Sequence, residues 1–321
     1  MFKLIVANRF SQSSLIQLKK SGLADVSTCE NISELKDQWS TCQGLLIRSG
    51  VQVTQELLTQ MPQLRVIVSA TSGFDHIDLK TCGQKNITVM HTPEANAQSA
   101  AEHTLGLILA TQRNYDRASS QVKSGRWERG ALIGEELMGK TLGLIGLGRI
   151  GSKVKKMAEA FGLEILVHDP YVEQSLHPNT VFLGFEEVVR KADIVSFHVP
   201  LTSETFHMIK ASTLEWFHES ATLINASRGD VICFSSLLNH LIENPQFRLG
   251  LDVYAAEPLD KSSALLDHAQ IFFTPHIGAT THQAIARASQ EAVEKILHYI
   301  QSEKTSDTLP PSALWASKII R

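Results

Sequence analysis

A chain of 321 residues with 43% hydrophobic and 20% charged content is long enough for two ordinary domains and has a globular composition, which sets aside fibrous and disordered classes. Its formal net charge of -3 gives no broad basic field, so nucleic acid and anionic membrane surfaces are excluded as expected partners and a small molecule is favoured.

The opening "MFKLIVANRF" carries an apolar run too short for a signal segment, and no stretch of about 18 apolar residues follows anywhere, so the expectation is a cytoplasmic protein. Four cysteines, Cys29, Cys42, Cys82 and Cys233, lie far apart without a CxxC pair, which reads as buried core thiols in a reduced compartment and no metal. In the first hundred residues the apolar runs "FKLIVA", "GLLIRS", "RVIVSA" and "ITVMHT" alternate with polar-faced stretches, the pattern of a parallel α/β sheet. Residues 69 to 79, "SATSGFDHIDL", follow one such run with small residues and a glycine. They read either as an anion-binding turn built on Ser72 and Gly73 or as a plain strand-to-helix turn with Asp75 as cap. From Gln98 to about Val122, small and apolar residues recur at helical spacing, which predicts one long helix able to bridge two domains.

A second alternating series begins at "KTLGLIGLG" and runs through "LEILVHDP", "ADIVSFHVP", "ATLINASRG", "FRLGLDV" and "QIFFTPHIG", predicting six doubly wound strands. Its first strand ends in Gly146, Gly148 and Gly151, a G-x-G-x-x-G followed by the amphipathic "SKVKKMAEAFG". Those glycines allow a tight turn, close approach to a pyrophosphate and helix packing, with the helix N-terminus facing phosphate. Asp169 ends the next strand, 18 positions after Gly151 (169 − 151), near the spacing of an acid that bonds a ribose diol; no arginine follows in "PYVEQS", so NAD is favoured over NADP. Arg149 reads as a pyrophosphate contact or as a solvated helix-start cation. From about Thr280 to Ser302 the chain is helical again, and "TSDTLPPS" is turn-rich.

Three late strands end in charge. "ATLI" runs into Arg228, "LGLDVYAAEP" carries Asp252 and Glu257, and "TPHIG" carries His276. Ligands of open parallel sheets bind beyond the carboxyl ends of strands, so these residues are placed to meet one. Arg228 offers a planar fork for a carboxylate, and His276 titrates near neutral pH, with Glu257 to orient it and favour its charged form. Asp252 reads as an acceptor for a nicotinamide carboxamide.

Taken together, "ELMGKTLGLIGLGRIG", "VHDPY", "HVPLTSET", "NASRGDVI", "LDVYAAEP" and "TPHIGATT" resemble the D-isomer-specific 2-hydroxyacid dehydrogenase family over nearly the whole chain. The resemblance implies an α/β protein of two domains, a Rossmann-type doubly wound NAD-binding domain (99–285) inserted in a smaller flavodoxin-like substrate domain (1–98 and 286–321). It implies Arg228, Glu257 and His276 as catalytic residues, and Arg149, Ile150, Asp169, Pro200, Ala226, Ser227, Asp252 and Gly278 lining NAD beside the glycine motif. It also implies a homodimer, an active site between the domains, and a substrate carboxylate at Ser72 and Gly73. Trp127 and Leu132 are candidates for the dimer contact or for a local loop packing.

Within the family the look is nearest to phosphoglycerate dehydrogenases, where Arg48 matches an arginine that meets the substrate phosphate. Ser69 stands where many of those enzymes carry a second arginine, so glyoxylate, hydroxypyruvate and pyruvate remain as smaller acids. The chain ends soon after its last helix, so no added regulatory domain is expected. Some relatives bind NAD as transcriptional corepressors, an alternative of another class.

Overall fold

The computed structural model describes residues 1–319 and divides the chain into two compact units: Met1–Ala97 with Ala279–Ala316, and Gln98–Gly278 with residues 317–319.

The first unit is built on five parallel strands, β1 (Phe2–Ala7), β2 (Ala24–Cys29), β3 (Gly44–Ile47), β4 (Val66–Ser69) and β5 (Thr88–His91), in the order β2-β1-β3-β4-β5. That is the flavodoxin-like order. Strand alternation sorts side chains to two covered faces. Leu4 and Val6 join a core with Leu18 and with Ala288, Ala292 and Ile296, whereas Ile5 and Ala7 join Trp39, Leu58 and Met61 on the other side.

The helix His282–Ser302 starts at Thr281, whose hydroxyl accepts from the Ala284 amide, and its whole apolar side lies in the first unit's core. The return therefore begins at Ala279, not at 286, because a helix that packs on one core cannot be divided between two. Residues 317–319 also depart from the expected division, since the Lys318 carbonyl accepts from Ser203 and Ile319 pairs with Thr202.

The second unit carries β6 (Thr141–Ile145), β7 (Glu164–His168), β8 (Val181–Phe182), β9 (Ile194–Phe197), β10 (Thr222–Asn225), β11 (Arg248–Leu251) and β12 (Ile271–Phe273), all parallel, ordered β12-β11-β10-β9-β6-β7-β8. The order reverses between β6 and β9, which opens a crevice at their carboxyl ends. Seven strands stand where six were expected; β8 has only two residues and no apolar run to announce it. Helices cover both faces of this sheet. Leu142 and Leu144 pack with Leu105, Ile108, Val154 and Ala158 on one face, and Ile145, Val195 and Phe197 pack with Val188 and Leu237 on the other.

The predicted long helix is two, Ala97–Arg113 and Tyr115–Lys123, separated by Asn114 at a φ of 53°. Asparagine tolerates that left-handed conformation better than most residues, so the break carried no proline or glycine signal. Cys42 and Cys82 are core residues, but Cys29 and Cys233 are only half-buried; all four are free thiols. Among the described residues no helix is long and apolar enough to cross a membrane, and no group of three or more His, Cys, Asp or Glu could hold a metal.

Candidate active site

The cofactor crevice is built from glycine outward. Gly146, directly after β6, has a φ of 98° and lies so near β9 that a Cβ would sit 2.6 Å from the His198 carbonyl oxygen. Gly151 is packed still closer, since its Cβ would lie 2.2 Å from the Gly146 oxygen. Between them a Cβ on Gly148 would meet no atom within 4 Å, so the space before this residue, which precedes the helix Arg149–Ala160, is open. Two glycines thus serve close packing, and the third leaves room for a pyrophosphate at a helix N-terminus. Arg149 is exposed and Ile150 half-buried in that first helical turn.

Asp169 is held by two backbone amides, Leu147 N to Oδ2 at 2.8 Å and Tyr171 N to Oδ1 at 2.9 Å. Each oxygen keeps acceptor capacity for a diol hydroxyl. The donor set and the glycine cradle fit a dinucleotide whose ribose carries no phosphate. Pro200 follows β9, and its carbonyl accepts from the Thr205 hydroxyl at 2.6 Å.

Beyond β10 a buried strand gives way to charge because Asn225, fully buried, knits the turn. Its Oδ1 accepts from Ser227 N at 3.0 Å and Ser227 Oγ at 2.8 Å, and its Nδ2 donates to the Arg228 carbonyl at 2.8 Å. Arg228 in turn donates from Nη1 to the Ser227 carbonyl at 2.7 Å. Ala226 is half-buried and Ser227 buried in this turn. Gly229 lets the turn lie against the segment after β11, for a Cβ there would be 2.0 Å from the Tyr254 carbonyl carbon. Asn225 stood in the quoted motif without a role; its full burial at a strand end is what sequence could not show.

That contact carries the Arg228 turn against the segment bearing Glu257. Glu257 Oε1 accepts from the Tyr254 amide at 3.0 Å, and Oε2 meets His276 Nδ1 at 2.6 Å. Arg228, Glu257 and His276 follow β10, β11 and β12, three neighbours in the sheet. His276 is unusual in its backbone, with a φ of 52°. For a non-glycine residue that costs about 1 kcal/mol or more and persists only when its surroundings hold it.

Asp252 is what holds it. Its carbonyl accepts from His276 N at 2.8 Å, its Oδ1 from Ile277 N at 2.8 Å, and its Oδ2 from Gly278 N at 2.9 Å. The Thr274 hydroxyl donates to Oδ1 at 2.6 Å, and His103 Nε2 stands 3.2 Å from the same oxygen. Burial pushes the Asp252 carboxyl up, but these side-chain and backbone donors outweigh it and hold it below the ordinary carboxylate value. Among the described residues Oδ2 accepts only from Gly278, so it is the oxygen with capacity left for a carboxamide. Tyr254 and Thr274 stood in the quoted strand-end motifs without a role, and His103 in none of them; only the fold assembles them here.

The first unit holds the remaining candidates. Ser69, at the end of β4, is fully buried and bonded to Thr71 Oγ1 at 2.6 Å and His76 Nε2 at 3.0 Å. The carbonyls of Ser72 and Gly73 are taken by His91 Nδ1 at 2.9 Å and Thr71 Oγ1 at 2.7 Å. Among the described residues no oxygen accepts from the backbone N–H of Ser72 or Gly73. The next helix is capped by Asp78, not Asp75. Arg48 follows β3, whose Ile47 pairs with Ser69, and among the described residues its buried Nη1 has no acceptor; burial lowers its pKa from the ordinary value.

Comparison with known proteins places the chain in a family. A family model described as D-isomer specific 2-hydroxyacid dehydrogenase, NAD binding domain, matches residues 105–278. The D-3-phosphoglycerate dehydrogenase of Bacillus subtilis is 35% identical over 301 residues, 93% of this chain and 57% of that protein. The chain thus spans little more than half of that relative. The hydroxypyruvate reductase of Thermotoga maritima is 38% identical over 254 residues, 78% of this chain and 83% of that protein. Among solved structures, the D-lactate dehydrogenase of Aquifex aeolicus, complexed with NAD and lactic acid, superposes with a TM-score of 0.83 at 28% identity, covering 94% of this chain and 96% of that one.

Proposed function

Because the chain belongs to the D-isomer specific 2-hydroxyacid dehydrogenase family, we propose that it transfers hydride between NAD(H) and a D-2-hydroxy acid or its 2-keto counterpart. The observation that carries this reading is the joining of His276 to Glu257 at 2.6 Å on strand ends next to that of Arg228, in the unit that holds the glycine cradle. When bound, the reduced cofactor supplies the hydride to the keto carbon. Since Nδ1 of His276 is engaged by Glu257, Nε2 is the nitrogen that gives a proton to the carbonyl oxygen, so that the C=O becomes H–C–O–H as the cofactor is oxidised. Arg228 meets the substrate carboxylate with its planar fork and polarises the carbonyl. In the first unit, the amides of Ser72 and Gly73 are anion donors in their own turn.

Arg48 supports a substrate with a second anionic group. A guanidinium nitrogen buried without an acceptor is costly, and a phosphate would supply one. The leading substrate is therefore D-3-phosphoglycerate with its keto acid. The second reading is a small acid such as hydroxypyruvate or glyoxylate. It is favoured by Ser69, whose hydroxyl is committed to Thr71 and His76 and offers no cation.

A homodimer in the cytoplasm completes the proposal. Trp127, Ile133 and Met138 are 76%, 78% and 78% exposed, large apolar side chains close together in sequence that a second copy would cover. NADH oxidation with 3-phosphohydroxypyruvate, hydroxypyruvate, glyoxylate and pyruvate, each supplied alone, tests the chemistry. The phosphorylated acid should lead, and Arg48→Met should lower its kcat/KM by about a hundredfold, as for loss of a charged hydrogen-bonded pair. Preference for a small acid with Arg48→Met unaffected would support the second reading. Silence with all four would overturn the enzyme reading in favour of a corepressor-like NAD-binding protein.

A further inference from the structure

His103 lies on the helix Ala97–Arg113, far in sequence from the late strand ends, and its side chain is only 18% exposed. Its Nε2 reaches Asp252 Oδ1 at 3.2 Å and Thr274 Oγ1 at 3.1 Å. We propose that His103 is a positioning residue for keto-acid reduction: its Nε2–H fixes the Asp252 carboxylate, and Asp252 fixes the turn that carries His276. The inference rests on the reading of His276 as proton donor.

The protonation of Nε2 follows from its partners. Asp252 as a carboxylate only accepts, and the Thr274 hydroxyl already gives its hydrogen to Asp252 at 2.6 Å. Both contacts with His103 therefore need a hydrogen on Nε2. One donor steadies two acceptors, and Thr274 also belongs to the chain just before His276.

The consequence for His276 comes from how Asp252 is used. Three successive amides, those of His276, Ile277 and Gly278, converge on one residue that is 1% exposed. A left-handed histidine has no intrinsic preference for its conformation, so those bonds hold it in place. The turn is also packed beside His103. A Cβ on Gly278 would meet Asp252 Oδ2 at 3.2 Å and His103 Cδ2 at 3.6 Å. Removing the imidazole takes one donor from a buried carboxylate and opens room on the side where the turn is packed. A proton donor displaced by about 1 Å costs on the order of a hundredfold in rate without abolishing binding.

The test compares His103→Leu with His103→Gln in the full-length protein, using whichever keto acid proves to be turned over. Glutamine carries an Nε2–H near the same reach, while leucine fills space without a donor. His103→Leu should lower kcat about 10- to 100-fold with the keto-acid KM changed less than about threefold, and His103→Gln should restore kcat to within about threefold of the native value. In a His276→Asn background the residual rate should no longer depend on residue 103. Native kcat in His103→Leu, equal losses in the leucine and glutamine variants, a change confined to the KM for NADH, or a lowered melting temperature with unchanged kcat per folded molecule would each overturn the proposal. Failure of the underlying reading is separate: it is shown if His276→Asn itself keeps native kcat.

Discussion

Glu257 grips two partners at once, the Nδ1 of His276 at 2.6 Å through one carboxylate oxygen and the backbone amide of Tyr254 at 3.0 Å through the other. The amide fixes the carboxylate to its own loop, and the carboxylate fixes the ring. Orientation of the imidazole thus comes from one side chain.

Glu257→Gln removes the counter-charge while keeping a group of the same shape. With the ring no longer gripped by a carboxylate, kcat should fall by about tenfold or more. Steady-state kinetics checks this, and an unchanged kcat would remove Glu257 from the role.

Asp169→Ala leaves the amides of Leu147 and Tyr171 without their acceptor and the ribose diol without its partner. The KM for NADH should rise about tenfold, the worth of a charge-assisted hydrogen bond, and preference over NADPH should shrink. Steady-state kinetics with both cofactors decides; an unaltered preference would count against the diol contact.

Gly229→Ala tests the seam between the Arg228 turn and the loop after β11. The added methyl would sit 2.0 Å from the Tyr254 carbonyl carbon and 2.1 Å from its oxygen, so the turn must withdraw. A loss of about 1–3 kcal/mol in stability and of about a hundredfold in kcat/KM is expected. Melting and kinetics on the same preparation report both; native values would mean that the turn yields freely.

His198, beside the glycine cradle, links stability to pH. Burial lowers its pKa from 6.5 to about 4, so the folded chain resists a proton that the unfolded chain accepts. Its contribution is present above about 6.5 and is lost as pH falls towards 4, up to about 3 kcal/mol. His198→Gln should flatten the decline in unfolding free energy across that window, measured by denaturant titration at several pH values. A parallel decline in the variant would assign the acid sensitivity elsewhere.

The elements legible in sequence were those with local signals. The glycine spacing announced the turn after β6, apolar runs announced ten of the twelve strands, all but β2 and β8, and each charged strand end sat where the parallel sheet would expose it. What escaped was non-local or weakly marked. β8 has two residues, the helix break at Asn114 uses a residue with no strong stop signal, and the return boundary depends on which core accepts the apolar side of His282–Ser302. Within the site, Asn225, Tyr254, Thr274 and His103 act by hydrogen bonds that exist only once separate strands are neighbours. His103 and Thr274 are 171 positions apart, beyond any spacing rule.

The second unit enters at Gln98 and its main segment leaves at Gly278, and these ends meet: a Cβ on Gly278 would lie 3.9 Å from Ala100 Cα. An inserted module whose ends touch imposes no stretch on the chain that hosts it. Exchanging residues 98–278 for the matching segment of a relative needs two adjacent splice points, and the host sheet keeps its own strand order. Chimeras of this kind would separate the inheritance of cofactor preference from that of acid preference, gene segment by gene segment.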